Sequence, residues 1–365
     1  MIDLLKPEEC RYDSISMGEI MLRLDPKDSR IRSASSFDVY AGGGEYNVSH
    51  GLSSCFGLRT GVMTALADNE TGKLITSFVL RGGVDTSLIR WIPFDGIGRS
   101  VRNGLNFTEK GFGVRGALGV SDRGNTAASQ IKSGDFDLDL IFGTLKSRWF
   151  HTGGIFAALS ETTADAAVQA MKTARNNGTA VSYDLNFRPS LWKSIGGTAK
   201  AVAVNREIVK NTDVLIGNEE DYTACLGIEI PGNMHDLTAL NLEGYRFMLD
   251  RVFEMLPDLK IAAVTLRTVK NASVNSWQAM CADSSGNLFI SRSYEDALIY
   301  DRVGGGDSFA SGLIFGILSD RDLHEALELG TAHGLLAMTT PGDLTMASSE
   351  EVIKLASGGS ARVIR

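Results

Sequence analysis

Short apolar runs rich in β-branched residues recur along the chain, and each ends in polar or glycine-rich residues. Runs of this kind are typical of β-strands. Segments with helical spacing separate most of them; in residues 163–178, alanines recur on one face and Gly178 provides a stop signal. Strands that alternate with helices predict βαβ units and a mostly parallel sheet. The predicted strands lie within residues 12–19, 60–69, 148–154, 179–188, 212–221 and 260–268.

Polar residues follow two of these strands closely. In a parallel sheet the carboxyl ends of the strands meet at one edge, and ligands bind there. The sequence therefore predicts a ligand site at this edge, although any one of these residues alone is equally typical of a loop or a helix cap. The residues are Asp184, Asn186, Arg188, Asn218, Glu219, Glu220 and Asp221.

Two stretches, residues 21–41 and 98–121, break the alternation of strands and helices. Both alternate between apolar and polar positions, and they contain glycine turns but no helical spacing. We expect them to pair as a small antiparallel sheet that is separate from the main one. A lid over the ligand site is the functional interpretation, and a surface β-excursion without a role is the alternative.

Composition narrows the range of functions. The 365 residues are 43% hydrophobic and 22% charged, which is ordinary for a globular protein with a large core. The net charge of −8 argues against general binding to nucleic acid or to an anionic membrane. No apolar run approaches the ~20 residues of a membrane span, and the polar N-terminus is unlike a signal peptide. The scattered cysteines predict a reducing cytoplasm rather than a disulfide framework or a zinc site. They are Cys10, Cys55, Cys225 and Cys281.

The segment "DRVGGGDSF" (301–309) combines three glycines, a carboxylate and the start of a helical pattern. Glycines before a helix allow free backbone N–H groups to converge, and the helix dipole adds positive potential, so the segment predicts an anion site. Asp307 would repel a phosphate unless it has a task such as accepting the proton of an attacking hydroxyl. The alternative is a turn in which Asp307 only caps the helix. Neither a P-loop motif nor a dinucleotide-binding GxGxxG fingerprint occurs.

These residues carry a resemblance to a known family. "DRVGGGD" resembles the Asp-Thr-x-Gly-Ala-Gly-Asp signature of the PfkB, or ribokinase-like, sugar kinases. "AGGGEYNVSHGLSSCFG" (41–57) is similar to the family's Gly-Gly-x-x-x-Asn signature, "GNEED" (217–221) to its Asn-x-x-Glu motif, and "VTLRT" (264–268) to its Thr-Leu-Gly strand end. The four motifs follow the family's order and cover most of the chain. Within the family, "YDLNFRPSLW" (183–192) resembles the 2-keto-3-deoxygluconate kinases.

The resemblance implies a fold and an activity. The implied fold is a ribokinase-like three-layer α/β/α core over residues 10–365, with a mostly parallel sheet and with residues 21–41 and 98–121 inserted as a small β lid. The implied activity is ATP- and Mg²⁺-dependent phosphorylation of a primary hydroxyl of a small sugar or sugar acid, with 2-keto-3-deoxygluconate converted to its 6-phosphate. A monovalent cation such as K⁺ and a homo-oligomer formed through the lid are also implied.

Two alternatives accompany this interpretation. One is a related kinase of a neutral ketose or another keto sugar, as in a fructokinase. The other is a non-catalytic sugar or nucleotide sensor on the same scaffold. The presence of Asp307 after an open glycine run argues against the sensor.

The resemblance also implies roles for individual residues. Asp307 is the expected catalytic base, and the backbone of Gly304, Gly305 and Gly306 is the expected anion hole. The remaining expected contacts come from other segments. They are Gly42, Gly43 and Asn47 for sugar hydroxyls, Arg188 and Arg123 for the substrate carboxylate, Asn218, Thr265 and Arg267 on the nucleotide side, Asp221 with Asn218 for the magnesium–water shell, and Asp301 for a monovalent cation.

The chain departs from the family pattern at several positions. Gly305 replaces the usual Ala and keeps the anion hole open, whereas Arg302 replaces Thr and adds a cation without an assigned target. Asp221 replaces Glu, which shortens its reach by one methylene, and Arg267 replaces Gly at the nucleotide strand end. Two places where 2-keto-3-deoxygluconate kinases usually offer tyrosines to the substrate are changed as well. Asn106 and Ser121 occupy these two positions.

Overall fold

The computed structural model describes residues 2–228 and 242–359. The predicted core range of 10–365 therefore includes two segments, 229–241 and 360–365, that lie outside the described residues. Within the described residues, no helix has the length and apolar character needed to cross a membrane.

Fourteen strands, numbered in chain order, form two sheets in the described residues. They are β1 (Tyr12–Met17), β2 (Met21–Asp25), β3 (Asp38–Gly42), β4 (Thr60–Asp68), β5 (Ile89–Pro93), β6 (Gly104–Glu109), β7 (Leu118–Asp122), β8 (Ser147–Gly153), β9 (Ala180–Asp184), β10 (Val214–Asn218), β11 (Ile261–Asn271), β12 (Val274–Asp283), β13 (Leu288–Ile290) and β14 (Tyr294–Leu298).

The α-helices of the described residues are numbered in the same way. They are α1 (Gly44–His50), α2 (Glu70–Arg81), α3 (Gly154–Ala157), α4 (Glu161–Asn176), α5 (Pro189–Trp192), α6 (Gly197–Ile208), α7 (Glu219–Leu226), α8 (Leu242–Met255), α9 (Gly305–Leu318), α10 (Leu323–Ala337) and α11 (Ser349–Ala356).

The large sheet has the strand order β13-β12-β11-β10-β9-β8-β1-β4-β5, and β14 also pairs with β12. The seven strands from β11 to β5 run parallel to one another, whereas β12, β13 and β14 are antiparallel additions at one side. All six runs predicted from the sequence contain strands of this sheet, namely β1, β4, β8, β9, β10 and β11. The predicted mostly parallel sheet is confirmed.

Helices cover both faces of the large sheet. On β10, Leu215 packs into the core that contains Met171 of α4, whereas Val214 and Ile216 pack into the core that contains Leu313 of α9. Successive side chains of a strand point to opposite faces, so the two cores lie on opposite sides of the sheet. This arrangement is the predicted three-layer α/β/α architecture.

Helix α4 shows how local sequence sets the ends of an element. Ser160 and Thr163 form a reciprocal capping box at its start, in which the Ser160 hydroxyl accepts from the Thr163 backbone N–H. The helix ends at Asn176, and Gly178 follows with a φ of 79°, a conformation that favours glycine. The stop signal read from the sequence at Gly178 is confirmed.

The small sheet has the strand order β3-β2-β6-β7 and is separate from the large sheet. Strands β2 and β3 come from the first predicted stretch, and β6 and β7 come from the second. The expectation of a purely antiparallel sheet is wrong, because β2 pairs with β6 in parallel while the two hairpins are antiparallel. The parallel pair arises because both β2 and β6 begin at the same edge of the large sheet, so they run in the same direction.

Candidate active site

Asp307 lies in the first turn of α9. The helix follows Gly304, whose φ of 83° is in the left-handed region, and no side chain caps it. The Oδ2 of Asp307 instead accepts a hydrogen bond from Nδ2 of Asn47, at 2.7 Å. The alternative in which Asp307 only caps the helix is therefore wrong. Its carboxylate points towards α1 and joins two of the predicted sequence motifs.

The environment of Asp307 suits a group that accepts protons. Burial raises the pKa of Asp307 to about 6; the hydrogen bond from Asn47 and the charge of Arg188 oppose this rise, and the carboxylate of Asp343 adds to it. A carboxylate with a pKa near 6 is ionised at neutral pH but holds a proton more readily than a surface aspartate. This balance is the one that general base catalysis requires.

The three glycines before Asp307 differ in what surrounds them. A Cβ on Gly304 would lie 2.0 Å from the carbonyl oxygen of Asp343, and one on Gly305 would lie 2.9 Å from Cγ of Met338. A Cβ on Gly306 would meet no heavy atom of the described residues within 4 Å. Packing thus explains the first two glycines, whereas the missing side chain of Gly306 leaves open space beside Asp307.

The glycines before α1 also have packing roles. A Cβ on Gly42 would lie 2.2 Å from Oδ2 of Asp343, and Gly43 combines a φ of 152° with the carbonyl oxygen of Glu19 at 2.0 Å from an added Cβ. They bring Asn47, in α1, up to the carboxylate of Asp307. The buried Oδ1 of Asn47 has no hydrogen-bond partner among the described residues, so it can accept from a ligand hydroxyl.

Arg188 lies among three carboxylates at the carboxyl edge of the sheet. Burial raises the pKa of Asp184 well above its usual range, and the charges of Asp221 and Asp307 raise it further. The charge of Arg188 lowers the pKa of all three carboxyl groups. The Arg188 side chain is exposed, and its Nη1 donates to the carbonyl of Phe187 at 2.9 Å. The structure therefore brings the predicted substrate arginine and the predicted base to the same space.

Asn218 and Asp221 form the start of α7. The Oδ1 of Asn218 accepts from the Asp221 backbone N–H, and Oδ2 of Asp221 accepts from the Asn218 backbone N–H, both at 3.0 Å. The Oδ1 of Asp221 accepts from the Phe187 N–H at 2.8 Å. The helix-cap interpretation is thus correct for this pair, and a further role towards magnesium stays a prediction. Thr265 is the register partner of Asn218 on β11, which places it at the same edge.

Two departures from the family pattern, Arg267 and Arg302, lie within electrostatic reach of each other on the predicted nucleotide side. Arg267 lies two residues after Thr265 on β11, so the two side chains share a face of the strand. Its Nε has no hydrogen-bond partner among the described residues. Burial lowers the pKa of Arg267, and the charge of Arg302 lowers it further, while Glu219 opposes the shift. Two guanidinium groups within electrostatic reach of each other favour an anion such as a phosphate beside them.

Magnesium fits this edge only together with a ligand. Within residues 2–228 and 242–359, no group of three or more His, Cys, Asp or Glu side chains is arranged to hold a metal ion. Mg²⁺ is usually held by one or two carboxylates, waters and substrate phosphates. Asp184 and Asp221 are carboxylates of the required kind, and each carboxylate oxygen keeps a second lone pair beyond its backbone hydrogen bond.

Arg123, the second predicted substrate arginine, has a partner within the protein. It follows β7, and its Nε lies 3.2 Å from Oε2 of Glu19 in a largely buried ion pair. Arg123 is therefore one half of an ion pair rather than a free cation, and its contact with a substrate carboxylate stays a prediction. Glu19 lies directly after β1, at the point where the chain passes from the large sheet to the small one.

Glu45 is a site residue that the sequence did not reveal. It lies in the first turn of α1, and burial raises its pKa to about 7. A Cβ on Gly18 would lie 2.2 Å from its Oε2, and one on Gly153 would lie 3.0 Å from its Oε1, so two glycines at strand ends make room for this carboxyl. The available signal was a charged residue in a buried helix directly after three glycines.

Asp301 has a protein cation as its partner. Its Oδ2 accepts from Nη2 of Arg23, and both side chains are buried. The predicted role of Asp301 as a ligand of a monovalent cation does not fit this geometry, because Oδ2 of its carboxylate is already bonded to a guanidinium. Arg23 lies on β2, 278 residues away in the sequence, so no local pattern could predict the pair.

Relatives share both the length and the fold of this chain. A 2-dehydro-3-deoxygalactonokinase from Haloferax volcanii is 25% identical over 352 residues, covering 96% of this chain and 98% of that protein. A 5-dehydro-2-deoxygluconokinase from Clostridium perfringens is 25% identical over 336 residues, covering 91% and 89%. The crystal structure of a 2-dehydro-3-deoxygluconokinase from Thermotoga maritima has 37% identity and a TM-score of 0.85, covering 94% of this chain and 99% of that one.

A family match leads to the same group of proteins. Residues 145–350 match the family described as pfkB family carbohydrate kinase. This range contains β8 to β14 together with the glycine run and Asp307. Together with the similarity of nearly the whole chain to the Thermotoga structure, the match shows that the chain belongs to the PfkB family and is an ATP-dependent carbohydrate kinase with a ribokinase-like fold.

Proposed function

We propose that the protein phosphorylates the primary hydroxyl of 2-keto-3-deoxygluconate (2-dehydro-3-deoxygluconate) with ATP and Mg²⁺ to give the 6-phosphate. The observation that carries this proposal is the position of Arg188, an exposed arginine within electrostatic reach of Asp307. A sugar acid needs a cation for its carboxylate, because a desolvated carboxylate without a partner costs several kcal/mol. An arginine can make a bidentate pair with such a group.

The names of the relatives support an acidic keto sugar. The Thermotoga, Haloferax and Clostridium proteins are named as kinases of 2-dehydro-3-deoxygluconate, 2-dehydro-3-deoxygalactonate and 5-dehydro-2-deoxygluconate. The substrate named for the most similar of these three, at 37% identity, is the one proposed here.

In the proposed reaction Asp307 accepts the proton of the substrate hydroxyl, and the oxygen of that hydroxyl attacks the γ-phosphorus of ATP. The bond between the γ-phosphorus and the bridging oxygen breaks, and ADP leaves. The N–H groups at the start of α9, next to Gly306, are the donors for the charge on the transferring group. The Nδ2 group of Asn47 donates to Asp307 and orients it. The Oδ1 of Asn47 is proposed to accept a hydrogen bond from a sugar hydroxyl.

Bound magnesium would neutralise the negative charge of the phosphates. On this chain Asp184, at the end of β9, and Asp221, in the first turn of α7, are the carboxylates proposed to hold its water shell. Arg267 and Arg302 are proposed to face the phosphates from the other side, because the charge of Arg302 lowers the pKa of Arg267 and an anion beside the two guanidinium groups would relieve their repulsion.

The test of the substrate is a comparison of acidic and neutral sugars in wild type and in Arg188→Ala. The panel contains 2-keto-3-deoxygluconate, its galactonate epimer, 5-dehydro-2-deoxygluconate and fructose, with ADP release followed for each. For the preferred acid, kcat/KM should fall by about 30- to 1,000-fold in Arg188→Ala, which corresponds to roughly 2–4 kcal/mol for a lost buried charge pair. Turnover of fructose should change much less.

A matched control separates the site from general charge effects. Arg251 is an exposed arginine on α8 that pairs with Glu254, and Arg251→Ala should leave all rates unchanged. A wild type that prefers fructose, or an acid-to-neutral ratio that is unchanged in Arg188→Ala, contradicts the proposed substrate. Absence of turnover with every sugar, combined with tight sugar or nucleotide binding, would favour the sensor.

One feature of the small sheet favours a different acid within the panel. Asn106 and Ser121 are register partners on β6 and β7, and the Ser121 hydroxyl donates to Oδ1 of Asn106 at 2.9 Å. Two small polar side chains that satisfy each other leave more room than two tyrosines. Without the tyrosine contacts this chain has less to select 2-keto-3-deoxygluconate, so the galactonate epimer and 5-dehydro-2-deoxygluconate, the acids in the names of the Haloferax and Clostridium proteins, are the second candidates. The ranking of kcat/KM across the panel decides among the three acids.

A further inference from the structure

Arg23 is the largest charged side chain in the interior of the molecule that the structure describes, and it is fully buried. It lies on β2 of the small sheet. Its Nη2 donates to Asp25 at 3.1 Å and to Asp301, and its Nη1 donates to Asp343. One guanidinium thus binds three buried carboxylates: Asp25 on the same strand, Asp301 before α9 and Asp343 after α10.

Of the two distant carboxylates, Asp301 lies in the loop that leads into α9 and Asp343 lies in the loop between α10 and α11. Asp301 begins the segment that leads to the glycine run, and its Oδ1 accepts from the Val303 backbone N–H at 3.2 Å. The carbonyl oxygen of Asp343 would lie 2.0 Å from a Cβ on Gly304, so the loop of Asp343 packs directly against the helix start. Arg23 therefore connects the small sheet to both loops around the anion hole.

Arg23 supplies the positive charge that opposes the three carboxylates at this place. Burial would lower the pKa of Arg23, and the carboxylates of Asp343 and Asp301 more than offset this effect, so that the pKa is raised and the group stays protonated. Burial raises the pKa of Asp343, and the charge of Arg23 opposes that rise. Without Arg23, the carboxylates of Asp301 and Asp343 would repel each other in a buried space beside the phosphate-binding segment.

We propose that the guanidinium of Arg23 is the built-in cation of the anion hole, a positioning residue that holds the loops of Asp301 and Asp343 in register so that phosphoryl transfer needs no added monovalent cation. An alkali cation at Asp301 would have to displace a guanidinium that is bonded at three points. Because an arginine is covalently attached and always charged, its occupancy does not depend on the ionic composition of the solution.

Position distinguishes this role from that of an ordinary salt bridge. Buried ion pairs add little net stability compared with apolar residues of the same size, so stability alone does not explain three carboxylates around one arginine. Two of those carboxylates lie in the loops that set the conformation of Gly304, and Asp343 also raises the pKa of Asp307. A displaced loop would misalign the helix N–H groups, and a misplacement of ~1 Å can cost about 10²-fold in rate.

The first test uses the unmodified enzyme and varies only the salt. Initial rates with the best acid of the panel are measured in KCl, NaCl and tetramethylammonium chloride at one ionic strength, together with the melting temperature without substrate. The rate should differ by less than about twofold and the melting temperature should not respond to K⁺, because no cation binds selectively to the folded state. A saturable activation by K⁺ of about tenfold or more would overturn the proposal.

The second test removes the guanidinium. In Arg23→Met, kcat should fall by about 10²-fold with a smaller change in the KM for ATP, because alignment rather than binding is lost. K⁺ or millimolar guanidinium should restore part of kcat and raise the melting temperature of this variant, whereas tetramethylammonium is too large to enter. Lys27→Met, which removes an exposed ion pair with Asp38 on the same small sheet, is the matched control and should resemble wild type.

A second variant and a readout that needs no substrate keep the test decisive. If Arg23→Met does not fold, the double variant Arg23→Met/Asp343→Asn removes part of the surplus negative charge, and the same rescue is expected of it. A folded Arg23→Met with wild-type kcat, or one whose lost kcat responds to no cation, contradicts the role of Arg23. The melting-temperature readings need no substrate, so failure of this inference and failure of the proposed sugar are distinguishable.

Discussion

At the scale of single residues, the proposed role of Asp307 as the base predicts an acid limit of the reaction, which the hydrogen bond from Asn47 should move to lower pH. Burial raises the pKa of Asp307 to about 6, and the Asn47 amide opposes this rise. Since the base must be unprotonated, kcat/KM should fall tenfold per pH unit below about pH 6. Asn47→Ala removes a group that lowers the pKa, so its acid limb should move to higher pH.

The pH profile of kcat/KM checks this prediction. Asn69→Ala, which removes the N-cap of α2 outside the site, is the control and should leave the acid limb in place. An acid limb that does not move in Asn47→Ala would separate Asn47 from the base. The raised pKa also affects folding: the protonated Asp307 favours the folded state at low pH, and this contribution is lost as the pH rises through about 6.

Substitution by alanine should affect activity at Gly306 but stability at Gly304. In Gly306→Ala the new methyl meets no described atom within 4 Å, so the fold should be retained, while kcat/KM should fall by about tenfold or more as the methyl enters the space of the transferring group. In Gly304→Ala a φ of 83° and the Asp343 carbonyl oxygen at 2.0 Å should lower stability by about 1–3 kcal/mol.

Thermal unfolding and steady-state kinetics of both variants distinguish the two glycines. A Gly306→Ala enzyme with wild-type kcat/KM would mean that the open space is not used by a ligand. A Gly304→Ala enzyme with wild-type stability would mean that the loop of Asp343 yields easily.

At the scale of elements, α7 combines a capping role with a proposed role in the site. Asn218→Ala removes the side chain that accepts from the Asp221 N–H, which should lower the free energy of unfolding by about 1 kcal/mol. If Asn218 also supports the magnesium–water shell, the KM for Mg²⁺·ATP should rise in the same variant. Ser348→Ala, which removes the equivalent cap of α11, is the control for stability alone.

Urea unfolding and a magnesium titration of the rate measure the two effects separately. A variant that loses stability but keeps the KM for Mg²⁺·ATP would restrict Asn218 to the cap.

The elements also show what a sequence can and cannot predict. The strands β1, β4, β8, β9, β10 and β11 were predictable because each is a buried apolar run with polar residues after it. The start of α9 and the position of Asp307 followed from the local glycine pattern. The contacts of Arg23 with Asp301 and Asp343, over 278 and 320 residues, were not predictable, because they depend on how β2 leaves the large sheet. The parallel pairing of β2 with β6 was mispredicted for the same reason.

At the scale of the whole molecule, we propose that the small sheet acts as a lid. Arg23 on β2 and Arg123 after β7 both reach carboxylates at the edge of the site. The tip of the β6–β7 hairpin contacts the turn between β11 and β12, where Gly113 N–H donates to the Ser273 hydroxyl and the Ala272 N–H donates to the Gly113 carbonyl, both at 2.9 Å. The small sheet therefore contacts both the predicted sugar side and the predicted nucleotide side of the site.

The same sheet is the proposed contact with a second copy of the chain. Strand β7 is an edge strand, all five of its residues are exposed, and Leu118 and Val120 each expose 47% of their surface. Open edges and apolar patches of this kind favour pairing with another chain. Val120→Glu should therefore convert the wild-type oligomer to monomer, as measured by light scattering after size exclusion. A wild type that is monomeric at micromolar concentration would contradict this proposal.

The central claim is that Asp307 is the base of a phosphoryl transfer to a sugar acid, and analysis of the reaction products tests it most directly. Wild-type enzyme and Asp307→Asn are incubated with ATP, Mg²⁺ and 2-keto-3-deoxygluconate, and ADP and the sugar phosphate are quantified by ³¹P NMR. We predict equal amounts of ADP and 6-phosphate from wild type, and a kcat about 10²- to 10⁴-fold lower in a folded Asp307→Asn. Near-normal turnover in Asp307→Asn, or ADP released without a phosphorylated sugar acid, would contradict the account.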